Sequence, residues 1–178
     1  MRFLGTALLL GLMVSAYAGR PVVAEDSKAD WKDTDQVQKD VREMITATYG
    51  GEPEELLKFT HPKVVALMGG PEQTKKTLKL ILGKFKEMGM KLDEFKFSAD
   101  PIFLETEQSH FVIVPTNSIM SMGGKKVESQ NYQFGQKSKS DKTWKYIEGS
   151  RLNQDNVRQF FPDFPKDFEF PKTKRDLL

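Results

Sequence analysis

Residues 109–152, SHFVIVPTNSIMSMGGKKVESQNYQFGQKSKSDKTWKYIEGSRL, limit the fold more than any other stretch of the chain. Three strand-like runs lie in it, joined by two turns rich in Gly, Lys and Ser. Residues 110–114 are apolar throughout and end at Pro115. Gly123-Gly124 makes the first turn. Residues 127–136 then alternate, with Tyr132 and Phe134 on one side, and residues 138–142 form the second turn. The last strand covers residues 143–152, with Trp144, Tyr146, Glu148 and Ser150 on one face and Ile147 on the other. Side chains two apart share a face of a strand. Antiparallel pairing across the second turn therefore predicts one cluster of four rings, Tyr132, Phe134, Trp144 and Tyr146. It lies either beneath a helix or at the mouth of a cavity.

A sheet with apolar faces needs helices to cover it, and the preceding residues supply them. Asp33 is a candidate cap, and Gln36 three residues on completes a capping-box pattern. Val37, Val41, Met44, Ile45 and Thr48 then recur at helical spacing until Gly50-Gly51. Pro53 opens a short second helix carrying Leu56, Leu57 and Phe59, and His61-Pro62 stops it. Residues 64–68 read as a short strand or a helical turn. Pro71 opens a further helix with the stripe Leu78, Ile81, Leu82, Phe85 and Met88, ending at Gly89. Its lysines, Lys75, Lys76, Lys79, Lys84 and Lys86, lie mostly on the other side and read as a solvated face, since no aromatic platform interleaves with them. From Lys91 the period becomes two, with Phe95 and Phe97 on one face and a break at Asp100-Pro101. Residues 102–105 continue extended.

Residues 1–18 have the form of a signal peptide: Arg2, an apolar run over 3–14 too short to span a bilayer, and Ala16-Tyr17-Ala18 for cleavage. A second candidate site ends at Ala24. Residues 19–32 form a polar, acidic leader, residues 33–161 an α+β domain, and residues 162–178 an irregular tail rich in Pro and Phe. Phe160, Phe161, Phe164, Phe168 and Phe170 imply that this tail packs down. The expected location is periplasmic or extracellular, with no stable membrane anchor after cleavage. The chain has no cysteine, which rules out disulfides, Cys-ligated metals and thiol nucleophiles. Its 27 basic and 25 acidic residues nearly balance, unlike a nucleic-acid-binding chain.

Four pieces in order, HPKVVALMGG (61–70), HFVIVPTNS (110–118), KTWKYIEGSRL (142–152) and FFPDFP (160–165), carry a resemblance. They resemble the nuclear-transport-factor-two-like fold, also called SnoaL-like or ketosteroid-isomerase-like. More narrowly they are similar to a family of uncharacterised secreted bacterial proteins of that fold. The resemblance covers residues 35–171. It implies N-terminal helices on a strongly bent antiparallel sheet that forms a cone around a cavity. It also implies a homodimer through the outer face of the sheet, an idea supported by apolar residues on both faces of residues 111–114.

The chemistry open to the chain is narrow. The only histidines are His61 and His110, and no HExxH pattern or EF-hand loop is present, so no metal site or cofactor is expected. His61 before Pro62 reads as a structural residue at a helix end, and His110 faces either solvent or the cavity. There is no GxSxG and no phosphate-binding glycine loop. The isomerase resemblance implies a carboxylate base in an apolar cavity. Glu148 is the one candidate on a face with rings, and Asp100 ends a strand, but neither sits in a recognisable isomerase pattern. The alternative is that Glu148 meets a lysine at a sheet edge. No residue is therefore assigned as catalytic. Tyr132, Phe134, Trp144 and Tyr146 are the candidate ligand-binding residues. The expected function is non-catalytic: an exported domain binding a small apolar or amphipathic ligand, or a protein partner, in the cell envelope. The alternatives are a small enzyme using a cavity carboxylate for proton transfer or hydrolysis, and an envelope interaction module using the outer sheet face.

Overall fold

The computed structural model describes residues 33–178. The expected signal peptide (1–18), its cleavage after Ala18 or Ala24, and the leader (19–32) lie outside the described residues. Helix α1 (Thr34–Gly50) buries Val37, Val41 and Met44, and Gly51 ends it at φ 75°. That left-handed conformation is open to glycine because it has no Cβ. Proline sits in the first turn of α2 (Pro53–Phe59), α3 (Pro62–Leu67) and α4 (Pro71–Glu87), where its missing N–H costs nothing. Residues 64–67 are thus helical, which settles the strand-or-helix alternative. His61 caps α3 through Nδ1, which accepts the Lys63 N–H at 3.1 Å. Its Nε2 therefore carries the proton and faces Gln136 Oε1 at 3.2 Å, and burial holds its pKa down.

The sheet has six antiparallel strands and does not close. They are β1 (Lys91–Phe97), β2 (Ile102–Glu105), β3 (Ser109–Met122), β4 (Lys125–Ser138), β5 (Lys145–Glu148) and β6 (Lys174–Leu177). Strands β3 and β4 form one long hairpin through Gly123 and Gly124, both at positive φ. Strands β1 and β2 share the free edge of β3, and β5 and β6 share that of β4. The expected end of a strand at Pro115 is a correction, since β3 runs straight through it. Pro115 lies between the part of β3 that pairs with β2 and the part that pairs with β1. Its carbonyl accepts the Ser98 N–H at 3.1 Å, so its ring nitrogen faces the break between those strands, where no partner requires an N–H.

Each face of the sheet has its own cover. The inner face carries Val112, Val114, Tyr146 and Trp144 against Val37, Val41 and Met44 of α1. The outer face carries Phe111, Ile113, Tyr132, Phe134 and Ile147 under Val157 of α5 (Val157–Phe160), Phe161 and Phe164. The expected four-ring cluster is therefore wrong. Phe134 stands opposite Ile147 and Gly135 opposite Tyr146, which puts Tyr132 and Phe134 on one face and Trp144 and Tyr146 on the other. A Cβ on Gly135 would approach Val112 Cγ1 to 2.6 Å and Tyr146 Cε1 to 3.0 Å, so the glycine makes room for the Tyr146 ring. The tail packs down as its phenylalanines imply, with Phe164 in the core, but it is not irregular throughout: residues 174–177 form β6 on the edge of β4. Phe111, the apolar surface that suggested a homodimer, is covered by the chain's own Phe161 and Phe164, with rings 5.5 and 5.1 Å away.

Helix α1 is tied to the sheet by two carboxylates. Asp33 makes no capping bond, and Gln36 donates to Asp40 at 2.6 Å, so the expected capping box is absent. Asp33 instead accepts the Trp144 indole N–H at 3.0 Å and the Lys137 ammonium, which also lies 4.8 Å over the Trp144 ring. The buried Asp40 accepts the Tyr146 hydroxyl at 2.9 Å. The Lys137 ammonium holds the Asp33 carboxyl below its ordinary range, against the opposing effect of partial burial. A depressed folded-state pKa adds stability that is fully present above the unfolded carboxyl value, near 3.9, and is lost below it as pH falls through the lower folded value. Asp33→Asn should therefore melt below the parent at pH 7, with the gap narrowing as pH falls below about 4 in melts followed by circular dichroism. A gap that persists unchanged there would refute this role.

Candidate functional site

The register orders the inner face into rows. The first is Val112, Gly135 and Tyr146, beneath α1; the next is Val114, Gln133 and Glu148. Then come Phe97, Thr116 and Asn131, followed by Phe95, Ser118, Ser129 and Arg175. Leu92, Met120, Val127 and Leu177 form the last row, near the Gly123-Gly124 turn. In the middle rows the β1 side is thus apolar and the β4–β6 side polar, from Gln133 and Glu148 to Ser129 and Arg175. Helix α1 covers the first rows fully, whereas near its end Ile45, Thr48 and Tyr49 are only half-buried. The Tyr49 hydroxyl donates to the Met120 sulfur, which sets the end of α1 over the last row. Phe95, Phe97, Ser118 and Met120 are likewise half-buried. The inner face is thus only half-covered toward the hairpin turn, and this half-covered part is the candidate site.

The covered row next to this half-covered part holds an unsatisfied group. Gln133 is 6% exposed, and its Oε1 has no hydrogen-bond partner among the described residues. Asn131 beside it donates to Glu148 at 2.9 Å and accepts the Tyr132 N–H at 2.8 Å. The apolar wall is fixed by Phe95 and Phe97, whose rings meet edge to face at 5.3 Å, with the Arg42 guanidinium 4.8 Å over Phe97. Burial raises the pKa of the Tyr49 hydroxyl; the Arg175 charge opposes that and the Glu148 charge adds to it. Tyr49 is therefore a neutral donor at physiological pH.

Of the residues expected to bind ligand, none lies on the half-covered part of the inner face. Trp144 and Tyr146 are buried where α1 is anchored, and burial, reinforced by Asp40, pushes the Tyr146 hydroxyl up. Tyr132 and Phe134 belong to the outer face. Burial pushes the Tyr132 hydroxyl up to about 12, and it donates to the Leu152 carbonyl at 2.7 Å. Glu148 stands opposite Gln133, but its side chain is 44% exposed and already partnered by Asn131, by Ser150 at 2.7 Å and by Arg151 at 3.4 Å. Its cation is an arginine rather than the expected lysine. Asp100 is exposed in the β1–β2 connection. Gln133, Asn131, Ser118 and Tyr49 were missed. The available signal was the polar series Ser129, Asn131, Gln133 at alternate positions of β4, on the face opposite Tyr132 and Phe134.

No three His, Asp or Glu side chains converge as metal ligands among the described residues. The fold defines an α+β domain with a half-covered, amphipathic inner face. No family model, curated protein or solved structure matches the chain.

Proposed function

We propose that the protein binds a small amphipathic molecule, without catalysis, in a cleft between the end of α1 and the inner face, as an exported domain of the cell envelope. The carrying observation is Gln133, a buried amide whose oxygen lacks a partner. An unsatisfied buried acceptor costs about 1–3 kcal/mol, which a donor on a ligand would recover. Half-buried Phe95, Phe97, Leu92 and Met120 offer the apolar wall for the rest of the molecule. The bent, cone-like sheet of the nuclear-transport-factor-two-like fold belongs to this proposal, with α1 inside the cone. Catalysis by Glu148 is disfavoured because that carboxylate is solvated and paired.

Native mass spectrometry of protein purified from its own host is expected to show a retained small molecule. Gln133→Leu should raise the melting temperature, by removing the unpaired amide, while weakening retention. Ser118→Trp, which fills the cleft at a half-buried position, should abolish retention with the melting temperature within about 3 °C of the parent. An empty parent protein, or a ligand retained equally by both variants, would sink the proposal.

A further inference from the structure

We propose that the Gly123-Gly124 end of the sheet docks reversibly on an anionic lipid surface. Met88, Met122, Leu177 and Leu178 are 47%, 39%, 67% and 63% exposed. The topology gathers them at one end. Met88 follows α4 and leads into Lys91, which opens β1 opposite Ser121. Met122 closes β3 opposite Lys125, Leu177 stands opposite Val127, and the Leu178 N–H bonds the Lys126 carbonyl at 2.9 Å. Half-buried Met90, Leu92, Met120 and Val127 lie directly behind.

The same end is basic. Lys84 and Lys86 occupy the last turn of α4, and Lys91, Lys125, Lys126, Lys174 and Arg175 lie on the strands. Of the carboxylates there, Asp93 faces Lys126 at 3.6 Å and Asp176 faces Lys174 at 2.7 Å, while Glu87 at the end of α4 and Glu94 on β1 are exposed and make no salt bridge among the described residues. Glu128 accepts the Asn117 amide at 2.7 Å. Among the described residues Lys91, Lys125 and Arg175 make no salt bridge, so their charge is available to an anion. Seven basic residues against the five carboxylates Glu87, Asp93, Glu94, Glu128 and Asp176 leave a positive excess of two around Met88, Met122, Leu177 and Leu178, as large as the formal charge of the whole chain. Basic residues ringing inserted apolar ones is the pattern of interfacial membrane binding. A protein partner would require a broad, close-packed apolar core. Here a hairpin turn, a strand end and a helix end project single side chains, which suits a fluid surface. The proposal does not depend on a ligand in the inner face, although the half-covered part of that face lies at this same end.

Sedimentation of the full chain with vesicles tests it, using phosphatidylglycerol mixed with phosphatidylcholine against phosphatidylcholine alone. The parent should bind the anionic vesicles at least about tenfold more tightly. Lys91→Glu with Lys125→Glu should remove about tenfold or more of that affinity. Met122→Gln with Leu177→Gln should weaken it by a similar factor on loss of the apolar contact. Lys142→Glu with Lys166→Glu, away from the hairpin turn, should stay within about twofold of the parent. All four chains share residues 1–32, so the differences report on the hairpin end. Should the Met122/Leu177 variant fail to fold, the Lys91/Lys125 variant carries the test alone. Equal binding to both vesicle types, no binding by the parent, or parent-like binding by the hairpin-end variants would each overturn the proposal.

Discussion

Phe164→Ala is expected to destabilise the protein by about 3–5 kcal/mol, the usual cost of emptying a buried aromatic site. Phe164 is 2% exposed and packs against Phe111, Phe134, Phe168 and Phe170 at 5.1–5.6 Å between ring centres. Removing it takes away the central ring of the outer cover. Phe168 and Phe170 then lose the surface that holds them, and β6 loses its approach to β4. A typical domain has only about 5–15 kcal/mol in total, so denaturation midpoints should fall sharply. Phe164→Leu, which keeps most of the volume, should recover most of the loss. An unchanged midpoint for Phe164→Ala would show that the C-terminal segment does not cover the sheet in solution.

Trp144→Ala should cost a similar amount, about 3–5 kcal/mol, for a different reason. The Trp144 ring fills the start of the inner face beside Phe103, 6.1 Å away, and its N–H holds Asp33. The substitution empties a core position and also removes a donor that anchors the first turn of α1. Trp144→Phe separates the two effects, since it keeps a ring and removes the N–H, at an expected cost of about 1–2 kcal/mol. If the phenylalanine variant lost as much as the alanine variant, the hydrogen bond would dominate. If Trp144→Ala melted like the parent, the inner core would be misassigned.

Both substitutions address what local pattern made legible and what it left open. The punctuation of the chain was readable because it acts over a few residues. Pro53 and Pro71 open helices through a fixed φ and a missing N–H, while Gly51 ends one and Gly123-Gly124 turns the hairpin through glycine's freedom at positive φ. The strand period likewise put Phe95 with Phe97, and Tyr132 with Phe134, on common faces. What the sequence could not fix was the pairing offset across residues 139–144. Shifting one strand by a single residue moves all its side chains to the other face, and a turn of that length fixes no register. The pairing of Gly135 with Tyr146 decided it, through the space that only a glycine leaves under that ring. Asp33 reads locally as a helix cap; tertiary structure gave it Trp144 and Lys137, partners more than a hundred residues away that no local pattern reveals. The candidate site follows the same rule. Ser129, Asn131 and Gln133 are visible as a polar alternation, but only the length of α1, which covers half of the inner face, turns them into a wall facing Phe95 and Phe97.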